Sequence, residues 1–194
     1  NTGTAVTLQA NNDITINEAI TTNNAGGAGG ALTLQAGRSI LLNANITTDD
    51  AAIALKANDE TGDLANRDAG AGTLTMAAGT TINAGSGNIT ITTGTLSTTP
   101  NQVDIANLTT TGDITITANF TNGSVSSTPL DQVSSTAITA NKLTVKTLRD
   151  SGAAINFNHS SNNVSTVDLR ARNAADSANA SGFMKYYDVD GLDI

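Results

Sequence analysis

Residues able to do acid–base, nucleophilic or metal chemistry are few in this chain and widely separated. The one histidine, His159, sits in NFNHSSNN beside Ser160, and there is no cysteine. A Ser–His pair needs an orienting carboxylate and an oxyanion hole. No GxSxG or HExxH pattern accompanies it, so a solvated corner residue is the simpler reading. The adjacent carboxylates Asp49 and Asp50 are of a type that can act on a sugar, but the acidic residues otherwise scatter over presumptive turns and basic partners are scarce. DVDGLD supplies Asp188, Asp190 and Asp193 around Gly191, loosely like a calcium loop. It lacks the later bidentate Glu, which leaves an acidic turn as the alternative. The GGxGxDxUx repeat of calcium-binding β-rolls is absent as well.

The densest charge lies in NDETGDLANRDAGAG, residues 58–72, with Asp59, Glu60, Asp63, Arg67 and Asp68. Loops on repeat proteins gather on one face and often carry recognition. These five residues are the candidate ligand-binding set, against the plainer reading of a tolerated, exposed insertion. Sequons for N-glycosylation occur at Asn45, Asn88, Asn107, Asn119, Asn122, Asn158, Asn163 and Asn179. In a chain so rich in Asn, Thr and Ser, roughly five or six such triplets arise by chance, so the excess is small. No cofactor is expected.

The elements that position these residues follow from a repeat. TAVTLQANNDITINEAITT (residues 4–22) lies beside ALTLQAGRSILLNANITT (31–48) as nearly the same sentence. Alternating apolar pairs fall at Val6/Leu8, Ile14/Ile16, Leu32/Leu34, Ile40/Leu42, Ile53/Leu55, Leu74/Met76 and Ile89/Ile91. They continue at Val103/Ile105, Ile114/Ile116, Leu143/Val145, Ile155/Phe157 and Val167/Leu169. A period of two marks a half-buried strand. The breaks between pairs, such as NND, AGR, GSGN and TTGD, are built of residues that accept φ > 0 or close tight turns. TLQA recurs from residue 7 to residue 33 and related segments follow, giving a unit of roughly 20–26 residues. Short strands in units of that length predict an all-β parallel β-helix, or solenoid. Stacked coils then bring Leu8, Leu34 and Leu55 into one column. Seven to nine coils would make a rod of about 35–45 Å.

Three stretches interrupt the rhythm as loop excursions: 58–72, 95–112 with Pro100 and a weaker strand, and 120–136 with Pro129. Neither proline can donate to a ladder, so both belong in corners or at edges. The β-helix is expected over 1–182. Residues 183–194, with Phe183, Met184, Tyr186 and Tyr187, are expected to pack across the last coil or to begin another module.

Composition bounds the function. Hydrophobic residues make up 38% of the chain, enough for a continuous core, whereas aromatics are 3% and charged residues 13%. The formal net charge of −8 argues against nucleic acid and against an anionic membrane surface. No run is long and apolar enough for a transmembrane helix, so membrane insertion is not expected. The lack of cysteine suits a chain exported unfolded, and equally fits chance. Beginning NTGTAVTL, with neither Met nor signal peptide, the chain is expected to be a fragment or a processed product. Thr-x-Thr pairs invite an ice-binding face, but such a face needs a flat array on coils of constant length, and these coils vary.

The pattern A-x-T-L-Q-A followed by D-I-T-I-N and I-T-T, with its variants GNITITTG and TGDITITAN, resembles the filamentous-haemagglutinin and high-molecular-weight adhesin class of two-partner secretion exoproteins. The resemblance covers residues 4 to about 170 and rests on degenerate repeats. The N-P-N-G and N-P-N-L tetrapeptides of that family's secretion domain are missing. Autotransporter passengers are similar too. The resemblance implies a right-handed coil, location outside the cell or on a bacterial surface, and export through an outer-membrane transporter. It also implies adhesion to a host receptor, a glycan or a neighbouring cell. A monomeric rod segment is the expectation, and a polysaccharide-degrading lyase or glycosidase on the same scaffold is the alternative.

Overall fold

A computed structural model describes residues 3–96, 102–121 and 128–191. Within them the chain winds as a parallel β-solenoid, with no α-helix among the described residues. The first coil lays down β1 (Val6–Ala10), β2 (Ile14–Ile16) and β3 (Ile20–Thr21), separated by two short polar turns. Every later coil repeats that order, so three faces grow by parallel pairing.

Face one stacks β1, β4 (Leu32–Ala36), β7 (Ile53–Ala57), β10 (Ile89–Thr93), β13 (Asp113–Asn119), the second half of β15 (Ile138–Leu148) and β17 (Asn163–Arg172). Face two stacks β2, β5 (Ile40–Leu42), β8 (Thr73–Met76), β11 (Gln102–Ile105), β14 (Leu130–Gln132), β16 (Ile155–Phe157) and β18 (Met184–Tyr186). Face three stacks β3, β6 (Ile46–Thr47), β9 (Thr81–Asn83), β12 (Asn107–Thr109) and the starts of β15 and β17. Seven strands on each of the first two faces make seven coils. At about 4.8 Å per coil they form a rod of about 34 Å, just below the expected range.

Register is set by apolar columns. On face one Val6, Leu32, Ile53, Ile89, Ile114, Leu143 and Val167 follow one another, and beside them run Leu8, Leu34, Leu55, Ile91, Ile116, Val145 and Leu169. Leu34, Leu55, Ile91, Ile116 and Val145 are wholly buried. All twelve pairs read from the sequence lie in strands of faces one and two. The third face is the run Ile20, Ile46, Ile82, Leu108 and Ile138. Because side chains alternate across a strand, the residues between the apolar ones point outward, and most of them are polar or charged, such as Thr33, Lys56, Thr92 and Asp168.

Along the first column the coils advance by 26, 21, 36, 25, 29 and 24 residues, so their spread exceeds the expected 20–26. The strand register absorbs none of this variation; the turns absorb all of it. The 36-residue coil contains the 58–72 excursion, which includes a 3-10 turn at Leu64–Asn66. The stretch 95–112 contains β11 and β12, and 120–136 contains β14, so the excursions there are shorter than expected. Pro129 sits immediately before β14, where only its carbonyl is needed, accepting from Val103 N–H. Pro100 lies outside the described residues. Met184–Tyr186 continues face two in register, Ile155 under Met184 and Phe157 under Tyr186, rather than crossing the end of the coil.

Turns are fixed by polar residues that reach to the next coil. Asn45 Oδ1 accepts from Thr81 N–H, Asn88 Oδ1 from Asp113 N–H and Asn107 Oδ1 from Ala137 N–H, each at 2.9 Å. Gly30 is needed for close approach: a Cβ there would stand 1.7 Å from the Thr4 carbonyl oxygen.

Because column residues are close-packed on both sides, Leu55→Ala is expected to cost about 2–5 kcal/mol in urea unfolding. Leu8→Ala, at a 43%-exposed position of the same column, is expected to cost less than half as much.

Candidate functional site

The 58–72 excursion folds back onto the first two coils. Asp63 N–H donates to Asn11 Oδ1 at 3.1 Å and Asp68 N–H to Asn12 Oδ1 at 2.6 Å. Arg67 donates to three carbonyls, Gly37 at 2.6 Å, Asp68 at 2.9 Å and Gly70 at 2.9 Å. Neighbouring Arg38 pairs with Asp13 at 2.6 Å and reaches Ala69 O at 3.2 Å. Asp59 is buried and its carboxylate accepts from Thr61 N–H and hydroxyl. Asp63 caps the 3-10 turn through Ala65 N–H, and Glu60 accepts from Thr95 N–H at 2.6 Å. Four of the five candidate side chains (Asp59, Glu60, Asp63 and Arg67) are thus engaged in bonds that shape the excursion or tie it to neighbouring coils, while Glu60, Asp63 and Asp68 are exposed. Charge density in the sequence here marks an anchor.

The other candidates are dispersed. Asp49 accepts from Asn24 N–H of the preceding coil, Asp50 from Ser86 N–H of the following one, so the two carboxylates serve opposite neighbours. Asp188 accepts from Val164 N–H at 3.1 Å and from the Tyr186 hydroxyl at 2.7 Å. Burial raises the Asp188 pKa, but the Tyr186 hydroxyl and these backbone donors outweigh it and hold the carboxyl below its usual range. Asp190 N–H turns toward Asp188, while Asp193 lies outside the described residues. Among the described residues no group of three or more His, Asp or Glu is placed to hold a metal. Of the sequons, Asn45, Asn88, Asn158, Asn163 and Asn179 are exposed, and Asn107 and Asn119 are half-buried. Asn122 lies outside the described residues. Thr-x-Thr pairs face outward in register only at Thr90/Thr92 and Thr115/Thr117, since Lys56 and Lys146 flank them in the same column.

A different site forms on face two. Its outward column runs Thr15, Leu41, Thr75, Asp104, Asp131, Asn156 and Lys185, each residue one coil from the last. The carboxylates of Asp104 and Asp131 therefore project from neighbouring strands about 4.8 Å apart. Asn156 Nδ2 donates to Asp131 Oδ1 at 2.8 Å, and Gln102 Nε2 lies 3.1 Å from both Asp104 oxygens. Burial, followed by the charge of Asp131, pushes the Asp104 carboxyl above its ordinary pKa against the opposing Gln102 bond. Ser134, Asn158 and His159 rim the same hollow of about 380 Å³. His159 Nε2 stands 3.2 Å from the Gln132 carbonyl, the arrangement of a ring donating through Nε2.

Beneath the rim is a polar plug in the core. Gln132 and Asn162, both buried, exchange amide bonds at 2.7 and 3.0 Å. Asn162 also accepts from Ile138 N–H and donates to Phe157 O. Every part of this network is satisfied, so it fixes the corner that carries Ser134 and His159.

Asp104 and Asp131 do not stand out in the sequence, because VDI shows only the inward pair Val103/Ile105 and LDQ lies in the stretch expected to be a loop excursion. Their signal was the shared frame of VDI, LDQ and INF, which places Asp, Asp and Asn at one outward position. The hollow offers carboxylate and amide oxygens, amide N–H groups, a hydroxyl and an imidazole: a set suited to sugar hydroxyls. Comparison with known protein families, characterised proteins and solved structures finds no match.

Two acidic residues should leave opposite pH signatures. The Arg38 bond lowers the folded-state pKa of Asp13 against the cost of its burial. Its stabilisation is therefore present above the unfolded pKa and lost as pH falls through the folded one. The raised pKa of Asp104 gives a contribution present below the unfolded pKa and lost as pH rises through the folded one. In thermal melts near pH 7, Asp13→Asn is expected to lower Tm and Asp104→Asn to raise it, both effects shrinking near pH 2.

Proposed function

We propose that the chain is a rod segment of a large secreted bacterial surface adhesin, and that it contacts glycans through the face-two hollow. The observation carrying this reading is the column Asp104–Asp131–Asn156 with Ser134 and His159, where three successive coils present hydrogen-bonding groups along a shallow, open track. A stiff stack repeats such contacts along its axis, so modest single-site affinities combine by effective concentration. The repeat pattern shared with two-partner secretion exoproteins supports a cell-surface location and passage through an outer-membrane transporter. A host receptor or a neighbouring cell is then the source of the glycan.

One observation favours a second reading. Two carboxylates stand on adjacent strands in unlike surroundings, Asp131 accepting from Asn156 Nδ2 and Gln132 N–H and Asp104 half-buried with its pKa raised, which is the kind of pair a glycosidase uses. The two readings separate in one experiment. Glycan-array binding and polysaccharide cleavage are measured for the wild type, Asp131→Asn and Asn156→Ala. The adhesin reading expects array binding that weakens about 10–100-fold in either variant, the loss of one or two charge-assisted hydrogen bonds, with no cleavage by any of them. Cleavage by the wild type that disappears in Asp131→Asn would establish the enzyme instead.

A further inference from the structure

In a stack of coils each repeat touches the repeat before it and the repeat after it, so stability is a sum of neighbour terms and opening proceeds coil by coil. The corner between faces one and two departs from that rule. In the first coil it is the three residues 11–13, in the second 37–39, and in the third the fifteen residues 58–72. The long corner reaches past its neighbour. Asp63 N–H and Asp68 N–H end on Asn11 and Asn12 of the first coil, 52 and 56 residues earlier.

The second coil lies between, and the excursion grips it as well. Arg67 Nε donates to Gly37 O at 2.6 Å, Arg38 Nη1 to Ala69 O and Ser39 Oγ to Ala71 O, both at 3.2 Å. Arg38 carries the connection to the first coil through both oxygens of Asp13, at 2.8 and 2.6 Å. The start of the same segment holds the fourth coil. Asn58 Nδ2 donates to Gly94 O at 3.0 Å, Leu96 N–H to Asn58 O at 3.3 Å, and Glu60 accepts from the N–H and hydroxyl of Thr95. Gly62 sits where coils two and four converge: a Cβ there would stand 2.8 Å from both Gly37 Cα and Leu96 Cδ2. Asn58 is wholly buried with a φ of 50°, a conformation Asn accepts more readily than most residues, so the exit from β7 is fixed.

We propose that 58–72 is a clasp that fastens the first four coils into one cooperative unit, with Arg67 as its pin. It couples coils two places apart, which a strand ladder does not do. The hydrogen bonds of Arg67 go to the second coil and to the excursion itself. Removing its guanidinium therefore frees the 63–68 span, and through that span alone loosens the hold on Asn11 and Asn12. The clasp stands independently of glycan binding on face two.

Native-state amide hydrogen exchange, followed residue by residue by NMR, tests it. The samples are the wild type, Arg67→Gln and a control, Lys56→Gln, at an outward position of β7. In the wild type the amides of Asp63, Asp68 and Ile14, the last bonded to Ser39 O, are expected to exchange through one shared opening with one denaturant dependence. In Arg67→Gln all three are expected to exchange at least about tenfold faster, the effect of losing a charge-assisted hydrogen bond. Leu143 and Val145 of the sixth coil are expected to keep their wild-type rates, and Lys56→Gln to change none of these. Acceleration confined to 63–72, with Ile14 unchanged, would make the excursion a tolerated insertion and overturn the proposal. Equal acceleration in every coil overturns it too, since no separate unit then exists. So does a wild type whose Asp63 and Asp68 amides exchange without protection, a reading that holds even if Arg67→Gln fails to fold.

Discussion

The structure depends on one constraint: each coil must land on the one before it with its aliphatic residues in the same columns. A parallel ladder holds the backbones about 4.8 Å apart, and that spacing is also the distance at which Leu34, Leu55 and Ile91 fill the interior without gaps. A slip of one residue would turn the whole set outward. Hence the strands keep their register while coils differ in length by as much as fifteen residues, from 21 to 36. All freedom is confined to the corners. There, Asn side chains accept backbone N–H groups from the next coil and replace the ladder bonds the turn interrupts.

That division of labour explains what was legible in the sequence. The inward pairs could be read because period two with β-branched residues has few other meanings, and the TLQA repeat supplied the coil length. Leu130 escaped notice because its partner in the pattern is Gln132, a buried amide whose presence makes sense only beside Asn162, thirty residues later. The third face was barely visible, since Ile20, Ile46 and Ile82 stand singly between polar residues. The charged stretch 58–72 is, from sequence, either a recognition loop or a tolerated insertion; in the fold Arg67 bonds to three carbonyls and Asp59 is buried. Sequence reveals charge; only the fold reveals whether that charge is already partnered. Asp104 and Asp131 were the converse case, 27 residues apart in the chain and adjacent in space because of the register alone.

Function follows from the same stacking. A solenoid has no natural deep pocket, since its interior is filled by columns, so recognition must be built on an outward column. Face two changes character along its length, from Thr15, Leu41 and Thr75 to Asp104, Asp131 and Asn156. The polar half is underpinned by the Gln132–Asn162 plug, which gives the rim a rigid support.

The central claim, that equivalent outward residues rise by one strand spacing per coil, can be measured directly by electron spin resonance between paired nitroxide labels. The chain has no cysteine, so a label at Thr7→Cys paired in turn with Thr115→Cys, Thr144→Cys or Asp168→Cys reports a single distance each time. These positions lie four, five and six coils above Thr7 in one column. The account predicts backbone separations of about 19, 24 and 29 Å, increasing by one coil spacing at each step. Distances that fail to increase in that order, as in hairpins folded into facing antiparallel layers, would contradict it.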